Sequence, residues 1–278
     1  MDQKNPAPPA QKKLLFRTFW RGQLIEVIKE GSYRSLRFDS HLVQTRVLED
    51  NPDHLVLKYS QHMVASLVFL PDEPRRILMI GLGGGSLARF FLRQYPHCRI
   101  DVVEYNESIP ALAHDYFFLP KDPRLSIIIA DGAQYVATVK PNPVGYDLIL
   151  VDAFDQSGMA ASVYSKLFFK RAKKLLSQSG LMVLNMTRGR PLFFDQTMEI
   201  LRKIFPAGLL RLPVDQTNNE IVIACQQEKA GEDWSKLKKR AVMLSESLEM
   251  DLINFFEQTM PIGKSFWSRW LGSRHSKP

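Results

Sequence analysis

Two hydrophobic periodicities divide the chain. Before residue 60 the apolar positions mostly alternate with polar ones, in Leu24-Ile-Glu-Val-Ile, Ser35-Leu-Arg-Phe-Asp, Leu42-Val-Gln-Thr-Arg-Val-Leu and Leu55-Val-Leu-Lys-Tyr. Alternation of this kind predicts half-buried strands, and Gly31-Ser32 and Asn51-Pro-Asp53 supply turns between them. The result is a small antiparallel meander. Residues 60–70 then read as a helix, closed by Pro71-Asp-Glu-Pro74. From Arg75 short continuous apolar runs take over. They predict buried strands over 76–80, 99–104, 125–130, 146–151 and 180–185, with helices over 87–95, 108–117, 166–176 and 193–204 among them. Strands alternating with helices predict a mostly parallel, doubly wound sheet. Two last apolar runs, 209–214 and 220–225, flank Asp215-Gln-Thr-Asn-Asn219 and read as a closing hairpin.

A parallel sheet ended by an antiparallel hairpin predicts an α/β fold of the Rossmann-like class I methyltransferase type, here with a small N-terminal antiparallel β domain. The expected organisation is a disordered N-terminus over 1–13, rich in Pro, Gln and Lys. A small β-strand domain with its linking helix follows over 14–70, then the Rossmann-like domain over 71–228. A peripheral helical extension with a basic-aromatic tail fills 229–278.

The candidate chemistry begins in Arg75-Arg-Ile-Leu-Met-Ile-Gly-Leu-Gly-Gly-Gly-Ser86. A buried strand that breaks into glycines and then a helix is the phosphate- or nucleoside-side turn of a βαβ unit. Gly81, Gly83 and Gly85 permit backbone approaches that a Cβ would block. Glu104 ends the next strand, where a carboxylate can accept two ribose hydroxyls. Asp131-Gly132 ends the third, with Asp131 placed to accept from an adenine amino group. Asp152 and Asp155 follow the fourth strand. Each acid taken singly reads equally as a helix cap or a solvated loop residue. Four of them at the carboxyl ends of successive strands favour one shared cleft. Asp152 and Asp155 lie beyond the nucleoside, where a carboxylate can hold a cationic amine and take its proton as it becomes a nucleophile.

Composition bounds this picture without redirecting it. The chain has 278 residues, 45% hydrophobic and 24% charged, as in a globular protein with a full core. The two cysteines, Cys98 and Cys225, sit in apolar runs with no metal-like spacing, so no metal is expected and a reducing compartment is. The N-terminus lacks a signal-peptide apolar core, and no run reaches the ~20 residues of a membrane span; a cytoplasmic location is expected. The net charge of +8 is spread along the chain without a nucleic-acid motif. Its local concentrations are Lys236-Leu-Lys-Lys-Arg240 and Lys264-Ser-Phe-Trp-Ser-Arg-Trp270. The second can contact a membrane surface or nucleic acid, or be a solvated end.

The segment Tyr146-Asp-Leu-Ile-Leu-Val-Asp-Ala-Phe-Asp-Gln-Ser-Gly-Met-Ala-Ala-Ser-Val-Tyr164 resembles the Tyr-Asp-(apolar)-Asp-x-x-Asp-Pro gate of the spermidine synthases (polyamine aminopropyltransferases). With the glycine loop and the β domain, the resemblance spans roughly 23–226 and points to a divergent, spermidine-synthase-like branch related to class I methyltransferases. It implies that Asp152 is the catalytic acid/base and that Asp155 binds the substrate amine. It also aligns Gln44 with a glutamine that contacts the donor, and Tyr59 with an active-site tyrosine. The implied donor is decarboxylated S-adenosylmethionine, with no prosthetic group; the implied partners are a small-molecule amine and further copies of the chain, as homodimer or tetramer.

The departures from the family pattern matter too. Its Gly-Gly-Gly-Asp becomes Gly-Gly-Gly-Ser86, followed by Leu87. Its Tyr-His-Glu becomes Tyr59-Ser60-Gln61, and the proline after the second gate aspartate becomes Gln156. Without the loop carboxylate, the cleft has lost a countercharge for the donor's amino end. A serine beside free N–H groups at a helix start better tolerates the carboxylate of ordinary S-adenosylmethionine. Three functions therefore compete: aminopropyl transfer to an amine such as putrescine, methyl transfer to a protein or small-molecule amine, and nucleoside binding without turnover. Nothing resembles a nicotinamide site.

Overall fold

A computed structural model describes residues 12–39, 42–155, 158–206, 208–226 and 234–262. Strands β1 (Lys12–Trp20), β2 (Gln23–Glu30), β3 (Tyr33–Phe38) and β4 (Leu42–Leu48) form an antiparallel sheet in chain order. Arg21 (φ 48°) and Gly22 (φ 81°) make the two-residue turn between β1 and β2, both in the left-handed region, which matches the twist of a tight hairpin. Lys12 and Lys13, expected in a disordered N-terminus, instead begin β1; residues 1–11 of that expectation lie outside the described residues. The register slips between Leu14 and Phe16, a bulge that breaks the alternation by which β1 would have been legible.

The strand expected at 55–59 is absent. Leu57 is instead the extended residue before α1 (Lys58–Val64), which runs on into a 3₁₀ turn, Ala65–Phe69. The side chains of Gln61 and Ser60 take the carbonyls of Leu55 and Leu57, at 2.5 and 2.7 Å, that a ladder would have used.

The alternating part of the chain gives β5 (Arg76–Ile80), α2 (Ser86–Gln94), β6 (Arg99–Glu104), α3 (Ile109–Tyr116), β7 (Leu125–Ile129), α4 (Gly132–Thr138) and β8 (Tyr146–Val151). A two-residue ribbon of β9 (Phe154–Asp155) and β10 (Gly158–Met159) follows, then α5 (Lys166–Lys173), β11 (Leu176–Thr187), α6 (Pro191–Ile204), β12 (Leu209–Pro213) and β13 (Asn219–Cys225). The chain is completed by α7 (Trp234–Leu248), α8 (Leu252–Gln258) and β14 (Met260–Ile262). The large sheet runs β14-β12-β13-β11-β8-β5-β6-β7. Pairings from β11 to β7 are parallel, while β13, β12 and β14 pair antiparallel. The central strands are buried on both faces, which is why they read as unbroken apolar runs.

One sheet face packs against α2, α7, α8 and the 3₁₀ turn, the other against α5 and α6. The C-terminal extension, expected to be peripheral, is part of the core. Leu237, Ala241, Leu252 and Phe256 are buried, and Trp234 stacks on Phe256 at 3.9 Å. The extension also ends in a strand, not only helices, because Met260–Ile262 finds the open edge of β12. The basic-aromatic tail from Lys264 lies outside the described residues. Ile25, Val27, Leu36 and Val47 of the small sheet pack on Ile109, Leu112 and Phe117, placing that sheet beside the carboxyl ends of the parallel strands. Among the described residues, no helix is long and apolar enough to cross a membrane.

Candidate active site

The strand order reverses beside β5: the chain passes outward through β6 and β7, then returns as β8 on the other side. Such a switch point opens a crevice outside the carboxyl ends of the strands. A cavity of about 700 Å³ occupies it, walled by the glycine loop, the ends of β6, β7 and β8, the β9–β10 segment and the inner residues of the small sheet.

Gly81 makes the loop possible. Its φ is +99°, and a Cβ there would lie 2.2 Å from the carbonyl oxygen of Asp152, so only glycine lets β5 turn this close to β8. Gly83 and Ser86 also line the cavity. Gly85 does not; it precedes α2 and packs on Leu119 behind the loop. Ser86 is the first residue of α2, and its hydroxyl is buried without a hydrogen-bond partner.

Glu104, at the end of β6, is 9% exposed. Its Oε2 accepts from the amide of Leu82 and its Oε1 from that of Asn106, both at 2.8 Å. Burial pushes its carboxyl above the usual range, and the backbone donors oppose this. The carboxylate thus couples the glycine loop to the β6 turn at the cavity wall. Asp131 caps α4, accepting from Gln134 N at 2.9 Å and from the Ser162 hydroxyl at 3.1 Å. It also lines the cavity, so capping α4 does not take it out of the cleft. Gly132 follows it because a Cβ would lie 2.6 Å from Ile80 and 2.9 Å from Val163.

Asp152 follows β8 directly and lines the cavity. Asn185 Nδ2 donates to its Oδ1 at 2.9 Å, and the Tyr59 hydroxyl hydrogen-bonds the same carboxylate. The Tyr59 hydroxyl also lies 3.3 Å from the carbonyl of Gln44 on β4. Burial raises the Asp152 carboxyl, while Asn185 and Tyr59 hold it down. Tyr59 is raised well above its ordinary value, by burial first and then by the neighbouring carboxylate. A buried carboxylate of raised pKa beside two neutral donors is suited to accepting a proton from a bound amine. Asp155 is on β9, exposed, at the cavity wall.

The model of the spermine/spermidine synthase domain matches residues 57–203. A polyamine aminopropyltransferase of Neisseria meningitidis is 35% identical over 228 residues, covering 82% of this chain and 85% of its own. The chain belongs to the spermine/spermidine synthase family. A Xenopus laevis eEF1A lysine and N-terminal methyltransferase is 26% identical over 220 residues, covering 74% of this chain and 32% of that longer protein. The same fold is seen in a spermidine synthase solved in complex with the transition-state analogue AdoDATO, at TM-score 0.70 and 18% identity, covering 94% of this chain and 88% of that one.

The spermidine synthase segment holds Tyr59, the glycine loop and all four strand-end acids, but not Gln44 or the small sheet. Where the family tyrosine is followed by His and Glu, Ser60 and Gln61 turn their side chains back to the carbonyls of their own loop. Gln156 lies outside the described residues. Several polar residues at or beside the cavity escaped the sequence reading, among them Asn185, Thr45, Arg21 and Arg46. Asn185 is the one polar residue in the buried run from Leu181 to Met186, and that interruption was its signal. Thr45, Arg21 and Arg46 carry no comparable mark; Arg21 is placed by its turn, stacked on the rings of Trp20 and Tyr105 at 4.7 and 4.9 Å.

Proposed function

We propose that the cleft transfers the aminopropyl group of decarboxylated S-adenosylmethionine to a small-molecule amine such as putrescine, a step of polyamine biosynthesis. The observation that carries this reading is the hydrogen-bonded Asp152–Tyr59 pair, which lines the same cavity as Glu104 and Asp131. An alkyl ammonium has a pKa near ~10, so at neutral pH its proton must be removed in the site. The amine lone pair attacks the methylene beside the sulfonium, the carbon–sulfur bond breaks, methylthioadenosine leaves, and the ammonium proton passes to Asp152. Asp155 holds the amine. Gln44, Gly81, Gly83, Ser86, Glu104, Asp131 and Gly132 make up the donor side, with Glu104 on the ribose and Asp131 on the adenine, while Gly85 only shapes the loop from behind. The donor is a co-substrate and no prosthetic group takes part.

The likeness to polyamine aminopropyltransferases over four-fifths of both chains supports this reading. In it, residues 14–70 form a domain that covers the donor-binding domain of 71–228, the contact being made by Thr45 on the glycine loop. Self-association into a homodimer or tetramer belongs to the same reading. It is supported by Phe19 and Leu14, 68% and 46% exposed on the outer strand of the small sheet. The two buried cysteines, Cys98 and Cys225, form no disulfide and suit a reducing, cytoplasmic setting.

One observation favours a second reading. Ser86 leaves the loop without a carboxylate, and a methyltransferase is among the relatives. In that case ordinary S-adenosylmethionine donates a methyl group to an amine in the same pocket. Both displacements depend on alignment of the two reactants. Calorimetry with each donor separates them. Tight binding of the decarboxylated donor, with turnover of putrescine or a related diamine, is expected. Binding of ordinary S-adenosylmethionine alone would replace the first reading by the second.

A further inference from the structure

Asn185 lies in β11 among Leu181, Met182, Val183, Leu184 and Met186, all wholly buried, and is itself 2% exposed. An amide in that position is costly unless its polar atoms are satisfied. All the partners recorded for it converge on one spot. Nδ2 donates to Asp152 Oδ1 at 2.9 Å, and Oδ1 accepts from Asn219 Nδ2 at 2.9 Å. The backbone carbonyl accepts from the Tyr164 hydroxyl at 2.6 Å. Asn219, at the start of β13, is itself fixed: its N–H donates to Thr217 Oγ1 at 3.0 Å and its carbonyl accepts from Val214 N at 3.0 Å.

The sheet register explains the row. Leu184 pairs Val151 across β11 and β8, so Asn185 lies beside Asp152; across β11 and β13 Asn185 pairs Ile221 and Thr187 pairs Asn219, so Asn219 sits diagonally from Asn185, two residues along β13 on the same face. The direction of the chain of hydrogen bonds is set at Asp152. An ionised carboxylate only accepts, so Nδ2 of Asn185 faces it, and Oδ1 of Asn185 is left to accept from Asn219 Nδ2. A flipped Asn185 would set its carbonyl against a carboxylate and its NH₂ against another NH₂.

We infer that Asn185, oriented by Asn219, is a positioning residue that fixes the plane of the Asp152 carboxylate and stabilises its charged form for receiving the amine proton. The inference rests on the assignment of Asp152 made above. Asn185 touches no substrate; it acts through Asp152. The titratable groups facing that carboxylate are Tyr59 from α1 and Tyr164 from the segment before α5, both raised by burial and therefore uncharged. The charged groups around the same cavity are Glu104, Asp131, Asp155, Arg21 and Arg46. None of them replaces the donor that Asn185 supplies to Oδ1.

The test is the pH profile of aminopropyl turnover in the full chain for the parent, Asn185→Leu, Asn219→Leu and Asp152→Asn. Leucine matches asparagine in size and removes the hydrogen bonds. Loss of one charge-assisted donor moves the acid limb for Asn185→Leu up by about one to two pH units, with turnover recovering at alkaline pH and donor affinity unchanged. Asn219→Leu moves it the same way by less, because Nδ2 remains but its orientation is no longer held. Asn219 is half-buried, so this variant carries the test if Asn185→Leu does not fold. An unmoved acid limb in a folded variant, with Asp152→Asn inactive, overturns the relay and leaves the function standing. Near-parental turnover by Asp152→Asn overturns both.

Discussion

The amide of Gly84 donates to the hydroxyl of Thr45 at 2.7 Å, a hydrogen bond by which strand β4 of the small sheet grips the glycine loop. Thr45 and Gly84 are both buried, and the threonine methyl fills the space beside Gly84, where a Cβ would lie only 2.6 Å away. Thr45→Val keeps the shape and removes the acceptor. A buried N–H left without a partner costs about 1–3 kcal/mol. In a protein of this size that is a fall in Tm of about 2–10 °C. Thr45→Ser, which retains the acceptor, should lose less. Thermal melts, with the donor KM of each variant, check this; equal melts for Val and parent would show that the grip contributes nothing.

Gly81→Ala should be among the most damaging single changes. Its Cβ would fall 2.2 Å from Asp152 O, and φ of +99° is closed to side chains. Overpacking and backbone strain at about 1–3 kcal/mol each predict a combined loss of about 2–6 kcal/mol. The displaced atom belongs to Asp152, so kcat should fall with stability. Gly22→Ala is the control: its φ is also positive, at +81°, but nothing lies within 4 Å, so only the backbone penalty of about 1–2 kcal/mol applies. Urea denaturation of both variants separates close approach from conformation.

The contrast between these two glycines shows what could be read from the sequence. The run from Arg76 to Ile80 that breaks at Gly81 identified a strand, a turn and a nucleoside-type loop, because burial on both faces leaves no polar position in the strand. The acids at 104, 131 and 152 were legible because strand ends are marked by the end of an apolar run. What escaped depends on contacts distant in sequence. Thr45 meets Gly84 from 39 residues away, and Asn219 meets Asn185 from 34. No local pattern encodes either. Strand β1 was hidden by its bulge, and β14 by its three residues, which are a strand only because β12 offers an edge.

Asp152→Asn should separate stability from activity, with opposite signs. Burial raises the Asp152 carboxyl above the ordinary value of 3.8, so the folded chain holds this proton more tightly than the unfolded chain does. The corresponding stability is fully present below about pH 3.8 and is lost as pH rises through the folded value. An asparagine has no charge to bury. The variant should therefore be more stable than the parent at neutral pH, with the advantage shrinking as pH falls through the folded value and gone below about pH 3.8. Turnover should drop by about 10²–10⁴-fold, the usual worth of a positioned general base. Melts across pH, paired with kcat, check both; a variant less stable at neutral pH contradicts the account of a carboxylate ionised at a cost.

Ser86→Asp should set the donor. Ser86 begins α2, no acidic residue lies in that first turn, and its hydroxyl is buried without a partner. The position therefore has room in its hydrogen-bonding for a group that it does not now satisfy. An aspartate here restores the carboxylate of the family loop, and a negative charge at a helix start is itself favourable by about 0.3–1 kcal/mol, so the fold should tolerate it. A charge-assisted hydrogen bond to the donor's ammonium is worth about 1.5–3 kcal/mol, equivalent to an affinity gain of about 10–100-fold for decarboxylated S-adenosylmethionine. The carboxylate of the ordinary donor would meet the new charge and bind more weakly. Calorimetry with both donors on Ser86→Asp and the parent reads the change in their affinity ratio. A ratio that moves toward the decarboxylated donor, with faster turnover of a diamine, means that the serine had relaxed a selectivity the rest of the cleft still supports. If decarboxylated donor affinity rises without any gain in turnover, the cleft beyond the loop is not arranged for aminopropyl transfer, and methyl transfer from ordinary S-adenosylmethionine becomes the reaction to pursue.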